Sequence, residues 1–557
     1  MVRLYLGVGI VFVSLILIAC GGGDAKPTPT PTAEVQASTP EPTPTPEAAA
    51  PEPAVETLAF IRDGDIWLID ADGSNRRRIT DSGGTDRQVV HLQWLASGQE
   101  IAYEVSLRLE PSTASPSTFT SVLANVDGGV LWERELPQFA GVFWSPDGQL
   151  VAILPDKGPA RIEDRVGQLV WTGNGGEGSG SWSADGSHFA IVEGNEIVVV
   201  SRDGTSVSRL YGGPGLILPK DDRPLSEWSP CPLSPDELLF GPPVFTPDGE
   251  RMLIAVNCPF STRSIVNSII REVSLDGLVN RPVPNSVFNG LFTPPFSPDG
   301  RRMALLGVGA IRGAFCPTGA DAFATMNLGI LGVQDGKGSQ LMPKEVAQLV
   351  EGLAAEQRYA VDIQISGRLL ESPSIWSPAS DAIVASFSAT ECVCFDFEAA
   401  CAVGNLEDRH RVLAEGVYLL RIDGVADEKI AEGFSETVSW SPSGNLIAYV
   451  TGEPDAPQIR LFDLATGDVT DLGPGIAPAW RPLPPEAVSL PWEGAVTDNL
   501  RIRSEPSTAS DTVGTLSKGT KVRVYGEAEG EEAEPGSGNR TWYRVIGGWV
   551  YSAFVER

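Results

Sequence analysis

The sequence predicts an all-β fold built from repeats, and three observations predict it. The phrase VFWSPDGQLVAIL (Val142–Leu154) recurs as SWSADGSHFAIV, VFTPDGERMLIAV, PFSPDGRRMALL and VSWSPSGNLIAYV. Short apolar or alternating runs are bounded throughout by Gly, Pro, Asn and Asp, as strands are. The 60 glycines and 45 prolines fall largely at those turns and in one linker.

One repeat unit can be read from its chemistry. In Trp144-Ser145-Pro146-Asp147-Gly148 the serine can bond the turn backbone and proline has its φ preset. Asp then Gly complete a type I turn, with glycine free to take positive φ. The run that follows, LVAIL, is continuously apolar, which indicates a strand covered on both faces. A second strand pair is clearest in DIWLIDADGSNRRRIT, where Ile66, Trp67 and Leu68 lie on a strand and Asp72-Gly73 makes the next hairpin turn. Each unit is therefore four short antiparallel strands. A lone sheet of that kind cannot bury both faces, whereas copies packed around an axis can, which is a β-propeller.

The motif aromatic falls at Trp94, Trp144, Trp182, Phe245, Phe296, Trp376, Trp440 and Trp480, with gaps of 50, 38, 63, 51, 80, 64 and 40 residues. The first unit, LAFIRDGDIWLIDADGSNRRRIT, lacks its own W-S-P-D-G, and the last, APAWRP, has only the tryptophan strand. Together they make one blade and close the ring at Trp480. The count is eight blades, or seven if one irregular unit is decoration. In the longest gap Val346, Leu349, Val350 and Leu353 recur at helical spacing, which predicts an amphipathic helix inserted in a loop. The arginine run Arg76–Arg78 is expected on a solvated outer strand.

The repeats resemble the TolB-type, WD-like propeller repeat, a strand ending W-S-P-D-G followed by I-A-F and then I-Y-x-x-D-x-D-G. The match spans roughly Leu58–Pro482. A separate segment follows, with strands LRIR, VRVYG, WYRVI and WVYSA. It resembles a bacterial Src-homology-3-like domain through L-R-I-R-S-E-P-S-T (Leu500–Thr508), G-T-L-S-K-G-T (Gly514–Thr520), W-Y-R-V (Trp542–Val545) and G-W-V (Gly548–Val550). The expected fold class is thus all-β, a seven- to eight-bladed β-propeller followed by a small Src-homology-3-like β-barrel. The resemblance implies binding of cell-wall peptide or a proline-rich segment, with Tyr525, Trp542, Tyr543, Trp549 and Tyr551 as the aromatic surface. The acidic loop GEAEGEEAEPGSGNR departs from that pattern by its length.

At the N-terminus, Arg3 precedes an apolar run from Leu4 to Ala19 that is short for a membrane span. The run ends Leu17-Ile18-Ala19-Cys20, which resembles the bacterial lipobox. The resemblance implies diacylglycerol on the Cys20 thiol, cleavage before Cys20 and acylation of the new amine; two or more acyl chains make a stable anchor. The alternative is an uncleaved N-terminal anchor, and either places the rest of the chain outside the cytoplasm. The next segment carries nine prolines among Thr, Glu and Ala, a composition that favours polyproline II and buries nothing. At about 3.1 Å per residue such a stalk reaches on the order of 100 Å. The expected organisation is a signal peptide over 1–20, a stalk over 21–55, the propeller over 56–482, a linker over 483–494 and the small domain over 495–557.

Six cysteines remain for disulfides in an oxidising compartment: Cys231, Cys258, Cys316, Cys392, Cys394 and Cys401. Their pairing stays open; proximity along the chain suggests Cys231 with Cys258. ECVCFDFEAAC fits no standard zinc spacing. The net charge of −31 repels phosphate backbones and argues against a nucleic-acid partner. The histidines His91, His188 and His410 share no motif position, and neither H-E-x-x-H nor G-x-S-x-G occurs. Asp70-Ala71-Asp72-Gly73-Ser74 has only the opening of a calcium loop and is the repeat's ordinary turn. No cofactor, metal or catalytic residue is assigned. The expectation is a non-enzymatic, lipid-anchored, extracytoplasmic binding protein whose partners are the membrane and an envelope protein, peptidoglycan or glycan. Two alternatives are an extracytoplasmic polysaccharide hydrolase or lyase with its site in the channel, and a TolB-like part of an envelope translocation machine.

Overall fold

The computed structural model describes residues 55–84, 87–107, 118–138, 140–175, 179–194, 196–211, 239–258, 267–275, 280–289, 296–308, 326–333, 337–352, 361–365, 375–392, 410–453, 455–483 and 491–557. Cys20, Cys231, Cys316, Cys394 and Cys401 lie outside the described residues, as do the side chains of Cys258, Cys392 and His410.

Eight antiparallel sheets form the propeller among the described residues. Blade 1 joins Thr57–Arg62, Asp65–Asp70 and Arg77–Arg78 to Ile476–Trp480 from the far end of the repeats. The pairing of Leu58 with Trp480 and Ala59 with Ala479 closes the ring where expected. Blades 2, 3 and 4 begin at Arg87–Trp94, Gly141–Trp144 and Gly180–Trp182. Blade 5 is built on Arg251–Cys258, blade 6 on Arg302–Val308, blade 7 on Ala382–Cys392 and blade 8 on Leu446–Thr451. The innermost strand of blade 3 lies beside that of blade 4, that of blade 8 beside Ile476–Trp480, and Ile476–Trp480 beside that of blade 2.

Continuous apolarity in the second strands has a direct structural cause. All five residues of Leu150–Leu154 are buried. Leu150, Ala152 and Leu154 pack with Phe189 and Ile191 of blade 4, whereas Val151 and Ile153 pack with Ala102 and Leu123 of blade 2. The first blade does the same: Leu58 and Phe60 face blade 8, and Ala59 and Ile61 face blade 2. A strand alternates its side chains between two faces, and here each face meets a neighbouring blade. Burying such a side chain contributes about 1.5–3 kcal/mol.

The repeated turn has the expected geometry. Gly148 N–H donates to Ser145 O at 2.7 Å, with Gly148 at φ +66°. Ser145 Oγ accepts from Leu150 N–H (3.0 Å) and donates to Asp147 (2.8 Å). In the equivalent turn of blade 4, hydrogen bonds from Ser183 and then Ser187 hold the Asp185 carboxyl down at about 2.

These turns also tie blade to blade on one face of the disc. Arg165, in the strand 3–4 turn of blade 3, donates to Gly148 O of its own blade and to Glu100 of blade 2 (2.6 Å). Arg202 repeats this one blade on, reaching Gly186 O and Asp147. Across the closure, Ser443 N–H of blade 8 donates to Glu56 (2.8 Å) and Arg481 donates to Gly98 O (2.6 Å). Burial raises the Glu56 carboxyl despite its hydrogen bonds from Ser443.

The arginine run lies on the exposed outer strand of blade 1, as expected, and it also bonds across blades. Arg76 donates to Leu472 O of blade 8 and Arg77 to Val126 O of blade 2 (2.7 Å). A guanidinium carries five donors on a long stem, so an outer strand can stitch both its neighbours. The inserted helix spans Lys344–Gly352, with Val346 fully buried and Leu349 packed beside it.

Candidate functional site: the C-terminal module and its seat

The small domain starts at Trp492–Val496, a strand that pairs Trp492 with Val524 and Ala495 with Glu556. Its first residues lie inside the expected linker, because Trp492 packs its ring on Tyr543 (5.2 Å, edge-on). A second, five-stranded sheet holds Leu500–Arg503, Thr512–Leu516, Gly526–Glu529, Thr541–Val545 and Gly548–Tyr551. Val496, Leu500, Ile502, Leu516, Val522, Val524, Val545, Val550 and Val555 fill the barrel.

The five aromatic residues do not form one open face. Trp542 and Tyr551 are each only 2% exposed and pack together at 5.4 Å. Tyr543 is half-buried against Trp492, and half-buried Trp549 has the Arg544 guanidinium over its ring at 5.8 Å. Tyr525 points the other way, into the propeller, and packs against the core of blade 7. Burial, followed by the charge of Asp381, pushes its phenol well above the usual range. In a barrel this small the large rings are needed as core, and Trp542 and Tyr551 are therefore not an exposed platform.

The module sits on the strand 1–2 and strand 3–4 turns of blade 7, and its Gly526 lies against Ala465 in the strand 3–4 turn of blade 8. Antiparallel connectivity puts all such turns on one face of the disc. Two cores interlock there: Ile546 of the module is buried in the apolar cluster built on blade 7, and Ala426 of blade 7 is buried in the barrel core with Val425 beside it. Around them lies a polar frame. Arg544 donates to the Glu428 carboxylate, which also accepts from Gly547 N–H at 3.2 Å. Lys344 Nζ, at the start of the helix, donates to Val425 O (3.0 Å) and to Val513 O of the module (2.7 Å). Lys344 N–H donates to Asp427 (2.6 Å), an acceptor suited to a helix N-terminus. Arg523 lies 3.6 Å from Asp381 in the blade 7 motif turn.

Sequence reading missed this seat, although one signal was present. The third-to-fourth-strand turns read D-A-D-G-S-N in blade 1 and S-R-D-G-T-S in blade 4, but R-I-D-G-V-A in blade 7. Two apolar residues in an otherwise polar turn mark something that covers them.

The remaining expected chemistry is dispersed. His91 lies on the inner strand of blade 2 opposite Glu104, whose carboxyl is raised by burial, with His91 opposing that shift. His188 is in blade 4, its Nδ1 2.8 Å from Ser187 Oγ. Asp72 accepts from Ser74 N–H at 2.8 Å, and Asp70 from Thr57 Oγ1 and Asn75. No group of three or more His, Cys, Asp or Glu among the described residues converges to hold a metal ion.

Residues 498–556 match the family model of the bacterial SH3 domain. No curated protein matches the chain. Among solved structures, a putative TolB from Agrobacterium tumefaciens is 17% identical, covers 55% of this chain and 84% of its own, and has a TM-score of 0.28. TolB from Acinetobacter baumannii is 13% identical, over 67% of this chain and 81% of its own, at 0.27. The β-propeller domain of the Trilobed protease from Pyrococcus furiosus is 12% identical, over 70% and 96%, at 0.35. The propeller assignment here rests on the eight sheets and their closure. The class is an all-β protein, a propeller with a C-terminal Src-homology-3-like domain.

Proposed function

We propose that this chain is a non-enzymatic cell-envelope lipoprotein that presents a binding propeller and a binding module as one body. The observation that carries the reading is the seat. Interlocked cores and the Arg544–Glu428 pair fix the module to blade 7, which suits a scaffold that holds two surfaces at a set spacing. The motif residues support it as well, because their polar groups are spent on turns and on blade-to-blade bonds. In this reading Cys20 carries the lipid and the Pro-rich segment is the stalk. The body binds an envelope protein or a wall polymer outside the cytoplasm.

The test is made on the full chain, since each domain completes the core of the other. Cells expressing it are labelled with a palmitate analogue, and detergent extracts are passed over purified cell wall. Label is expected on the native chain and absent from Cys20→Ala, with both forms retained on the wall. Label on Cys20→Ala overturns the anchor. Retention no greater than that of an unrelated acidic protein overturns wall binding.

A further inference from the structure

The acidic loop that sets this module apart from its family pattern folds back across the aromatic pair. It joins Gly526–Glu529 to Thr541–Val545. Its base is closed by Gly530 N–H donating to Arg540 O (2.8 Å) and by Arg540 Nε donating to Gly530 O (3.1 Å). Gly530 then lies so close to Pro506 O that a Cβ there would stand 2.1 Å away. Trp542 Nε1 donates to Glu531 O (2.8 Å) and Tyr551 OH to Asn539 O (2.7 Å). The Glu531 carboxylate takes three further bonds from the facing loop: Ser507 Oγ (2.8 Å), Thr508 N–H (2.7 Å) and Thr508 Oγ1 (2.8 Å).

Two features distinguish this from an ordinary loop. The donors it satisfies come from two rings that are otherwise core and from a separate loop, so they converge on one strip of surface. No residue of 530–540 joins the apolar core of the barrel; polar bonds hold the loop down, and Glu531 itself is exposed. Bonds of that kind exchange readily with other acceptors, because each contributes little net stability at a surface.

We infer that residues 530–540 are a strap, an occupant in cis of a cleft floored by Trp542 and Tyr551, which an extended acidic peptide in trans displaces. The ligand class follows from the donors. Trp542 Nε1 and Tyr551 OH meet backbone carbonyls, while Ser507 and Thr508 meet a carboxylate. An extended peptide with a glutamate or aspartate supplies both kinds of acceptor. The closed strap makes the module self-inhibited until such a partner arrives. This deepens the binding role proposed for the module and rests on it.

The test uses the full chain and a fluorescein-labelled peptide that copies Glu529–Asn539, followed by fluorescence polarisation. A variant with residues 530–540 replaced by Asn-Gly, a two-residue hairpin turn, is expected to bind the peptide saturably. The intact chain should bind at least about tenfold more weakly, the factor that a lost charge-assisted hydrogen bond supplies. A folded strapless chain that binds no better than the intact one overturns the inference. A peptide copy with every Glu changed to Gln that binds as tightly overturns the acidic specificity. Should the strapless variant not fold, Glu531→Ala is the second arm: amide exchange at Thr508 is expected to rise about tenfold, and unchanged exchange overturns the latch. Lipid labelling and wall retention do not read this cleft, so failure here is distinguishable from failure of the proposed function.

Discussion

Ser380 stands where the other blades place glycine in the repeated turn, and it takes φ +63°. A non-glycine residue there costs on the order of 1 kcal/mol. Its side chain repays that strain, since Oγ accepts from Asp299 N–H of blade 6 at 3.0 Å, and its carbonyl accepts from Arg302 at 3.3 Å. Ser380→Ala keeps the strain and loses the Oγ bond, and is expected to destabilise the chain by about 1–3 kcal/mol. Ser380→Gly loses the bond but relieves the strain, so it should fall within about 1 kcal/mol of the native chain. Denaturant midpoints of the two variants check the order, and Ala equal to Gly would contradict it. The turn was legible in W-S-P-D-G; the reason for serine in W-S-P-A-S was not, because its partner is 81 positions away.

At the scale of the strand, three of the motif tryptophans follow a rule that crosses blades. Trp182 Nε1 donates to Phe143 O (2.9 Å), Trp94 to Ala479 O (3.0 Å) and Trp480 to Ser439 O (3.4 Å). Each acceptor is the residue just before the motif tryptophan of the preceding blade. Trp144 and Trp440 break the rule: the Nε1 of each is buried without a partner, and the Trp144 ring packs edge-on against Trp132 at 5.1 Å. Trp94→Phe should therefore destabilise the chain by about 1 kcal/mol more than Trp144→Phe, and more visibly because Trp94 bonds across the closure. Equal losses in thermal unfolding would contradict this assignment. The periodic aromatic was readable from sequence as a core residue; its second role was not, since it depends on how adjacent sheets stagger.

Across the whole molecule, the seat of the module decides how it unfolds. Arg544 is 8% exposed, and removing Glu428 leaves a guanidinium buried and unpaired. Glu428→Ala is expected to cost about 2–4 kcal/mol at the seat. Calorimetry should then resolve a separate, lower-temperature transition for the module, whereas the native chain is expected to melt in a single transition. A single transition at the native temperature would mean that the apolar interlock alone holds the domains.

The sequence by itself determined the architecture: the repeated turn, the doubly covered strand, the split blade closed at Trp480 and the family of the C-terminal module. These are periodic or contiguous signals, carried by residues within a few positions of one another. Tertiary structure alone decided what the irregular residues do. Val425 and Ala426 enter another domain's core, Arg76 and Arg77 reach two different blades, and the Glu531 carboxylate bonds Ser507 and Thr508 of a separate loop. Each of those contacts joins segments far apart along the chain, where neither spacing nor composition records which partner lies opposite.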